Sequence, residues 1–285
     1  MCRFVAYLGP TIRLDRLVTL PVHSLIHQSY ESQERSEPLN GDGFGVGWYV
    51  PALDSVPATF RSITPAWNNP NLIDLARVTE SPCIFAHIRA ASPGLPVTET
   101  NCHPFRSESL LFMHNGSIPG FSEVRRKLLS GLSDRAFKGI VGTTDSEVLF
   151  ALFRDRFAPS SGGESLESMA EALRETISYT VEVVRRVGVD RACQLNLAVT
   201  DGVRAVVSRF SDRPQVSPNS LYLHAGKRYV YEEGRCRMLE ADIDESTVLV
   251  SSERLSEDAG WESVPENHLV LIPEDHQIEF RPIPE

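Results

Sequence analysis

Met1-Cys2-Arg3-Phe4-Val5-Ala6-Tyr7-Leu8-Gly9 opens the chain, and the rest of the reading works outward from it. Residues 2–8 form a β-prone run that begins almost at the terminus. Termini normally fray, so a strand here anchors Cys2 where most chains hold nothing still. The stretch lacks the basic, then apolar, then small-residue order of a secretory signal. Further β-prone runs lie at residues 44–50, 59–63, 83–90 and 110–114.

The middle of the chain changes period. Residues 121–132 and 145–157 have helical spacing, with Val148, Leu149, Leu152 and Phe153 on one face. Residues 159–164 (Pro-Ser-Ser-Gly-Gly-Glu) read as a loop or joint. Ser165 can cap the next helix, with Glu167 and Ser168 in its first turn and an end near residue 187. Strand signals then return at residues 194–200, 204–210, 220–225, 247–251 and 268–272, with Asp201-Gly202 as a hairpin turn between the first two. The order strands, helices, strands, with mostly short turns late in the chain, argues for antiparallel sheets rather than βαβ units. The expected class is α+β, two sheets packed face to face with helices outside, in a single domain spanning residues 1–285.

With 285 residues, 41% hydrophobic, the chain can bury a large core and needs no disulfide or metal to fold. A formal net charge of −10 argues against a broad nucleic-acid-binding surface. No apolar run is long enough to span a bilayer. Cys2, Cys83, Cys102, Cys193 and Cys236 are widely spaced and contain no CxxC pair, so neither a zinc site nor a disulfide framework is suggested. The expectation is a reduced, cytoplasmic protein. The histidines show no metal-ligand spacing, and no cofactor is implied.

Several segments carry chemistry, each with a plainer reading beside it. Once Met1 is removed, Cys2 bears a thiol and a free α-amine, whose ordinary pKa values are about 8.5 and about 7.7–8.0. One residue then supplies nucleophile and base; the plainer reading is a small apolar residue opening a strand. In Phe85-Ala86-His87-Ile88-Arg89, His87 and Arg89 point to one face of a strand. A buried Arg89 needs an anion, either a structural salt-bridge partner or a substrate carboxylate. Phe112-Met113-His114-Asn115-Gly116 ends in an Asn-Gly pair, a leading β-turn signal. The same turn would present the Asn115 amide and the Gly116 N–H as an oxyanion hole. Gly142-Thr143-Thr144-Asp145 before an apolar helix reads as a cap or as an anionic site for an ammonium group. Asn40-Gly41-Asp42-Gly43-Phe44-Gly45-Val46-Gly47 lacks the strand-before, helix-after context of a phosphate loop, so close backbone packing accounts better for its glycines.

Taken in this order, these segments resemble the class II (N-terminal nucleophile) glutamine amidotransferases. The likeness runs strongly from Cys2 through Phe150 and more loosely to Ser251-Ser252-Glu253 and Trp261-Glu262-Ser263-Val264-Pro265. Met1-Cys2-Arg3-Phe4, Asn40 to Val46, Thr64-Pro65-Ala66-Trp67-Asn68-Asn69 and Thr98-Glu99-Thr100-Asn101-Cys102-His103-Pro104-Phe105 make it most similar to amidotransferase subunits of glutathione-degrading complexes. A more distant likeness is to the amidohydrolases of ergothioneine biosynthesis. The resemblance implies a four-layer αββα sandwich. It implies Cys2 as nucleophile, Asn115 and Gly116 as oxyanion hole, Arg89 for the substrate α-carboxylate and Asp145 for its α-ammonium. It places Ser92 in the same pocket and His103 near it. It also implies a small γ-glutamyl substrate and a peptidase-like or synthase partner subunit.

Two other classes remain open on the residues alone. Cys2 could pair with His87 or His103 in a Cys–His hydrolase, which needs no free α-amine. The fold could also serve a non-catalytic binding or regulatory protein.

Overall fold

A computed structural model describes residues 2–34, 39–91, 94, 96–157, 165–239 and 245–284. Strand β1 (Arg3–Arg13) leads through α1 (Asp15–Val18) and α2 (Leu25–Tyr30) to β2 (Phe44–Val50) and β3 (Asp54–Ser62). Then come α3 (Pro70–Val78), β4 (Glu80–Ile88), β5 (Phe105–Ser107) and β6 (Leu110–Ser117). Four helices follow: α4 (Phe121–Leu129), α5 (Asp134–Lys138), α6 (Asp145–Phe157) and α7 (Leu166–Val187). The chain returns to strands with β7 (Gln194–Thr200), β8 (Ala205–Arg209), β9 (Tyr222–Gly226), β10 (Arg228–Glu232) and β11 (Arg235–Leu239). It closes with β12 (Thr247–Ser251), β13 (Trp261–Ser263), β14 (His268–Ile272) and β15 (Glu279–Pro282).

Two large sheets result, in the strand orders β13-β9-β12-β1-β4-β2-β3 and β15-β14-β8-β7-β6-β5, with β10-β11 as a separate hairpin. The recorded pairings in both are antiparallel. β1 lies inside the first sheet and is buried on both faces. Phe4, Ala6 and Leu8 meet Leu111, Met113, Ala198 and Val270 of the second sheet. Val5 and Tyr7 face outward, into a layer built by Leu17, Leu25, Leu72 and Tyr229. A strand covered on both sides needs apolar residues at successive positions, which is why this segment reads as a run and not an alternation. On the far side, Phe112, Leu197 and Val199 pack beneath Leu149, Phe153, Leu173 and Ile177. The layers are therefore helix, sheet, sheet, helix, as expected. Among the described residues no helix is long and apolar enough to cross a membrane.

Local signals explain the long helices. Ser165 and Ser168 form a reciprocal capping box on α7, and Gly188 ends that helix at φ 83°. Its buried stripe, Met169, Leu173, Ile177, Val181 and Val184, follows the helical repeat. The helix expected over residues 121–132 is shorter. α4 stops at Leu129, and two residues on Gly131 lies so close to Tyr179 that a Cβ there would sit 2.1 Å from the hydroxyl. The loop at 159–164 lies outside the described residues.

The glycine-rich segment has a packing explanation. Phe44 and Val46 of β2 face the outer layer. Gly45 and Gly47 face the other way, and the Cys102–Pro104 segment lies on them: a Cβ on Gly45 would sit 2.1 Å from the His103 carbonyl oxygen, and one on Gly47 2.8 Å from Pro104. Gly45→Ala must push this backbone aside. Overpacking of this kind costs about 1–3 kcal/mol, which lowers the thermal midpoint by several degrees in a domain this size. Calorimetry on the purified variant checks this; an unchanged midpoint would mean that the segment shifts freely.

Candidate active site

The site forms where β1, β4, β6, β12 and the start of α6 converge. Residue parity on β1 puts Cys2 on the same face as Phe4, toward the second sheet. Arg3 pairs with Ile88, so one step outward sets Cys2 beside Arg89. The Cys2 thiol donates to the Ala90 carbonyl at 3.7 Å. Burial pushes this thiol above its ordinary value; the Ala90 contact and the nearby Arg89 charge pull it down, and Asp145 pushes it up.

Arg89 follows the last residue of β4 and is held by backbone bonds to the glycine-rich loop. Its N–H donates to Gly43 O at 2.8 Å and its carbonyl accepts from Asp42 N–H at 3.1 Å. The Asp42 carboxylate in turn accepts the Ala91 N–H at 2.8 Å. The guanidinium is 3% exposed. Its Nη2 donates only weakly, to Pro96 O at 3.4 Å, and its Nη1 has no partner. Among the described residues no carboxylate pairs with it. A buried cation with an unused donor has the chemistry to take an anion.

Asp145 opens α6. Its Oδ2 accepts the Ile118 N–H and its Oδ1 the Ser146 N–H, both at 2.9 Å. The helix cap itself is Thr144, whose hydroxyl accepts the Glu147 N–H at 3.2 Å. Asp145 is left partly exposed.

The Asn115-Gly116 pair corrects the sequence reading. It makes no turn. β6 continues to Ser117, with Asn115 opposite Asn196 and Gly116 opposite Leu195. Glycine is required for a different reason: a Cβ at 116 would lie 1.8 Å from the Gln194 carbonyl oxygen. Asn115 is fully buried and aimed at the first sheet, where its Nδ2 donates to Ser252 Oγ at 3.3 Å. The same hydroxyl accepts the Phe4 N–H at 3.1 Å, so two hydrogen bonds link Asn115 to the strand that carries Cys2. Asn115 Oδ1 has no partner. Ser252 was missed on the sequence, since a serine after a strand gives no local sign of what it bridges.

The histidines lie deeper. His87 packs against His103 at 4.1 Å between ring centroids and a 31° tilt, and His103 against Phe105 at 4.5 Å and a 59° tilt. His87 Nε2 contacts the His114 carbonyl at 3.1 Å, and His114 Nδ1 contacts Ser146 Oγ at 2.9 Å. Burial pushes His87 down to about 3 and, with its charged and imidazole neighbours, holds His103 far below the imidazole range. Burial likewise lowers His114, with Asp145 opposing. Among the described residues no hydrogen bond joins Cys2 to His87 or His103. Imidazoles so hard to protonate are poor bases for a Cys–His pair. The structure thus brings Cys2, Arg89, Asn115, Gly116 and Asp145 together and leaves His103 behind His87. Ser92 lies outside the described residues.

With this geometry in place, comparison with known proteins is informative. The family model for glutamine amidotransferases class-II matches residues 22–280. The chain belongs to this family. The matched span holds Arg89, Asn115, Gly116 and Asp145 but starts after Cys2. This class II amidotransferase is 39% identical to the probable glutamine amidotransferase DUG3 of Saccharomyces cerevisiae, over 95% of this chain and 82% of the yeast protein. It is 26% identical to the γ-glutamyl-hercynylcysteine sulfoxide hydrolase of Mycolicibacterium smegmatis over 98% of both chains. Among solved structures, a glutamine aminotransferase class-II domain protein from Silicibacter pomeroyi superposes with a TM-score of 0.68 at 24% identity, covering 100% of both chains. The B. subtilis glutamine phosphoribosylpyrophosphate amidotransferase gives 0.59 at 13% identity, covering 99% of this chain and 49% of that one. The last two likenesses bear on the fold.

Thiol chemistry separates Cys2 from the other cysteines of this amidotransferase. Cys2 keeps some exposure, while Cys83, Cys102, Cys193 and Cys236 are buried. Burial raises those four to about 12, 11, 12 and 11. A small alkylating reagent at pH 8 should therefore modify Cys2 first in the native protein. Because burial raises the Cys2 thiol above its ordinary value, its rate should keep climbing past the ordinary thiol range. Peptide mapping reads the order, and modification of Cys102 before Cys2 would contradict the arrangement.

Proposed function

We propose that this amidotransferase cleaves a γ-glutamyl amide through a thioester on Cys2. The observation that carries the reading is Arg89: a buried guanidinium with an unpartnered N–H beside a thiol, with the Asp145 carboxylate acting on the same thiol. The free end of a γ-glutamyl compound is a zwitterion, so its α-carboxylate suits Arg89 and its α-ammonium suits Asp145. That docking sets the γ-carbonyl against the sulfur.

The chemistry follows from the residues. With Met1 removed, the α-amine of Cys2 takes the thiol proton and the thiolate adds to the γ-carbonyl. The Asn115 amide and the Gly116 N–H stabilise the oxyanion of the tetrahedral adduct. The C–N bond then breaks, the protonated α-amine gives its proton to the departing nitrogen, and water hydrolyses the thioester. A class II amidotransferase that hydrolyses outright releases glutamate and the free amine. One that serves a peptidase-like or synthase subunit passes the nitrogen on. The yeast relative, a probable glutamine amidotransferase, supports glutamine as substrate, and glutathione shares the same γ-glutamyl end. The mycobacterial hydrolase, matched end to end, supports a γ-glutamyl amidohydrolase of the ergothioneine type as the second reading. The whole chain, residues 1–285, is read as one such domain, and its reduced cysteines fit a cytoplasmic setting.

Turnover of glutamine, glutathione and a γ-glutamyl thiol sulfoxide by the processed protein tests the proposal and separates the two readings. Cys2→Ser should lose orders of magnitude in rate, and Asn115→Ala should lose about 10²–10³ in kcat with KM little changed. Full activity with Met1 retained would refute the α-amine as base.

Charged contacts contribute roughly 1.5–3 kcal/mol each, so Arg89→Gln and Asp145→Asn should raise KM about 10- to 100-fold on every substrate sharing the γ-glutamyl end. Because Asp145 also accepts the Ile118 N–H, a des-amino substrate analogue is the deciding control. It should bind wild type and Asp145→Asn alike. If the variant is still several-fold weaker on that analogue, Asp145 acts through the local backbone and not on an ammonium group.

A further inference from the structure

On the outer face of the first sheet, directly behind the nucleophile, lies a buried ionic cluster. Arg3 and Glu253 are each 1% exposed. Arg3 Nε donates to Glu253 Oε1 at 2.5 Å and to Ser32 Oγ at 3.3 Å. Arg3 Nη1 donates to the Cys2 carbonyl oxygen at 3.1 Å. The carboxylate is otherwise saturated: His23 Nε2 lies 2.6 Å from Oε2, the Gln33 N–H donates to Oε2 at 2.9 Å, and the Ser32 hydroxyl bonds Oε1. Burial alone would oppose the charge on Glu253, but His23, Ser32 and Arg3 together hold it at about 2.

Filling a core this way is not economical. Apolar residues of similar volume are often as stable or more so, while half of a broken pair is strongly destabilising. Arg3 does one thing an apolar residue cannot, which is to hold the Cys2 carbonyl. The ladder to β4 is recorded up to Arg3 and that to β12 up to Val5, so the side chain takes over where the strand pairing ends. Its fork also has the right shape, since the guanidinium presents donors in fixed directions to a carboxylate and a carbonyl at once.

We propose that Arg3, clamped by Glu253, is the positioning residue for the nucleophile: it fixes the Cys2 carbonyl and so the direction in which thiol and α-amine meet the substrate. This rests on the Cys2 reading above. Lysine at position 3 keeps the positive charge for Glu253 but cannot hold both acceptors in the guanidinium geometry.

The test compares Arg3→Lys with Leu17→Ala, a cavity in the same outer layer. Turnover is measured per site titrated by an electrophilic glutamine analogue, alongside the thermal midpoint. Arg3→Lys should lower kcat per titrated site about 10- to 100-fold, with KM within about 3-fold, and should slow labelling of Cys2 to match. Leu17→Ala should lower the midpoint and keep kcat per site near wild type. An Arg3→Lys protein that loses stability yet turns over at the wild-type rate per site overturns the inference. If Arg3→Lys does not fold, the double variant Arg3→Gln with Glu253→Gln removes both charges together. It should fold and show the same loss in kcat, and full turnover by it also overturns the inference. A wild type whose Cys2 ignores the analogue sinks the Cys2 reading and this inference with it. A reactive wild type with an equally fast Arg3→Lys sinks this inference alone.

Discussion

β1 begins one residue after Cys2 and runs between β4 and β12 inside the first sheet. From Val5 onward β1 is held by ladders on both sides like the middle of a core, and the other site residues are registered against it. Ile88 opposite Arg3 brings Arg89 beside Cys2, and Ser251 opposite Val5 brings Ser252 under the Phe4 N–H. A strand at the edge of the sheet would have one ladder and one free side, and the same residues would drift relative to one another by more than chemistry tolerates.

The histidines make the space between the sheets polar at this end without adding charge. His87, His103 and His114 are buried and hard to protonate, and His103 belongs to the Cys102–Pro104 segment that rests on Gly45 and Gly47. Neutral imidazoles leave Arg89 as a positive charge in a weakly polarisable setting, where its attraction for a carboxylate exceeds what it would be at the surface. Glycines in β2, a packed histidine pair and a guanidinium with an unpartnered Nη1 are in this sense one arrangement. Close packing removes water, and the removal of water gives the charge its reach.

The fold persists while sequence diverges. A TM-score of 0.59 at 13% identity means that few side chains are shared with the B. subtilis enzyme although the layers coincide. Cores tolerate extensive exchange when volume and patterning are kept. What must be kept is the pair of inner faces and the two outer ones, each of which needs apolar residues at alternate strand positions. The proposed recognition of a γ-glutamyl zwitterion asks only for one cation and one anion at a strand end and a helix start, which relatives with different substrates could share. Discrimination would then fall to the side of the site that meets the leaving group.

Local physics was written in the sequence. The helices at Asp145–Phe157 and Leu166–Val187 carry their own caps and stripes, and the strands at Phe44–Val50, Gln194–Thr200, Thr247–Ser251 and His268–Ile272 carry their own apolar runs. Residue chemistry singled out Cys2, Arg89, Asn115 and Asp145. The short helices α1 to α3 went unseen because four to nine residues hold too little periodicity to register. Asn115-Gly116 was misread as a turn, since its extended form depends on β7 lying alongside. Tertiary structure alone decided which faces meet: that the glycines of β2 underlie His103, that Ser252 bridges Asn115 to Phe4, and that Arg3 finds Glu253. These partners are far apart in sequence, 250 residues in the last case, and no local propensity links residues that only the closing of a sheet brings within hydrogen-bond reach.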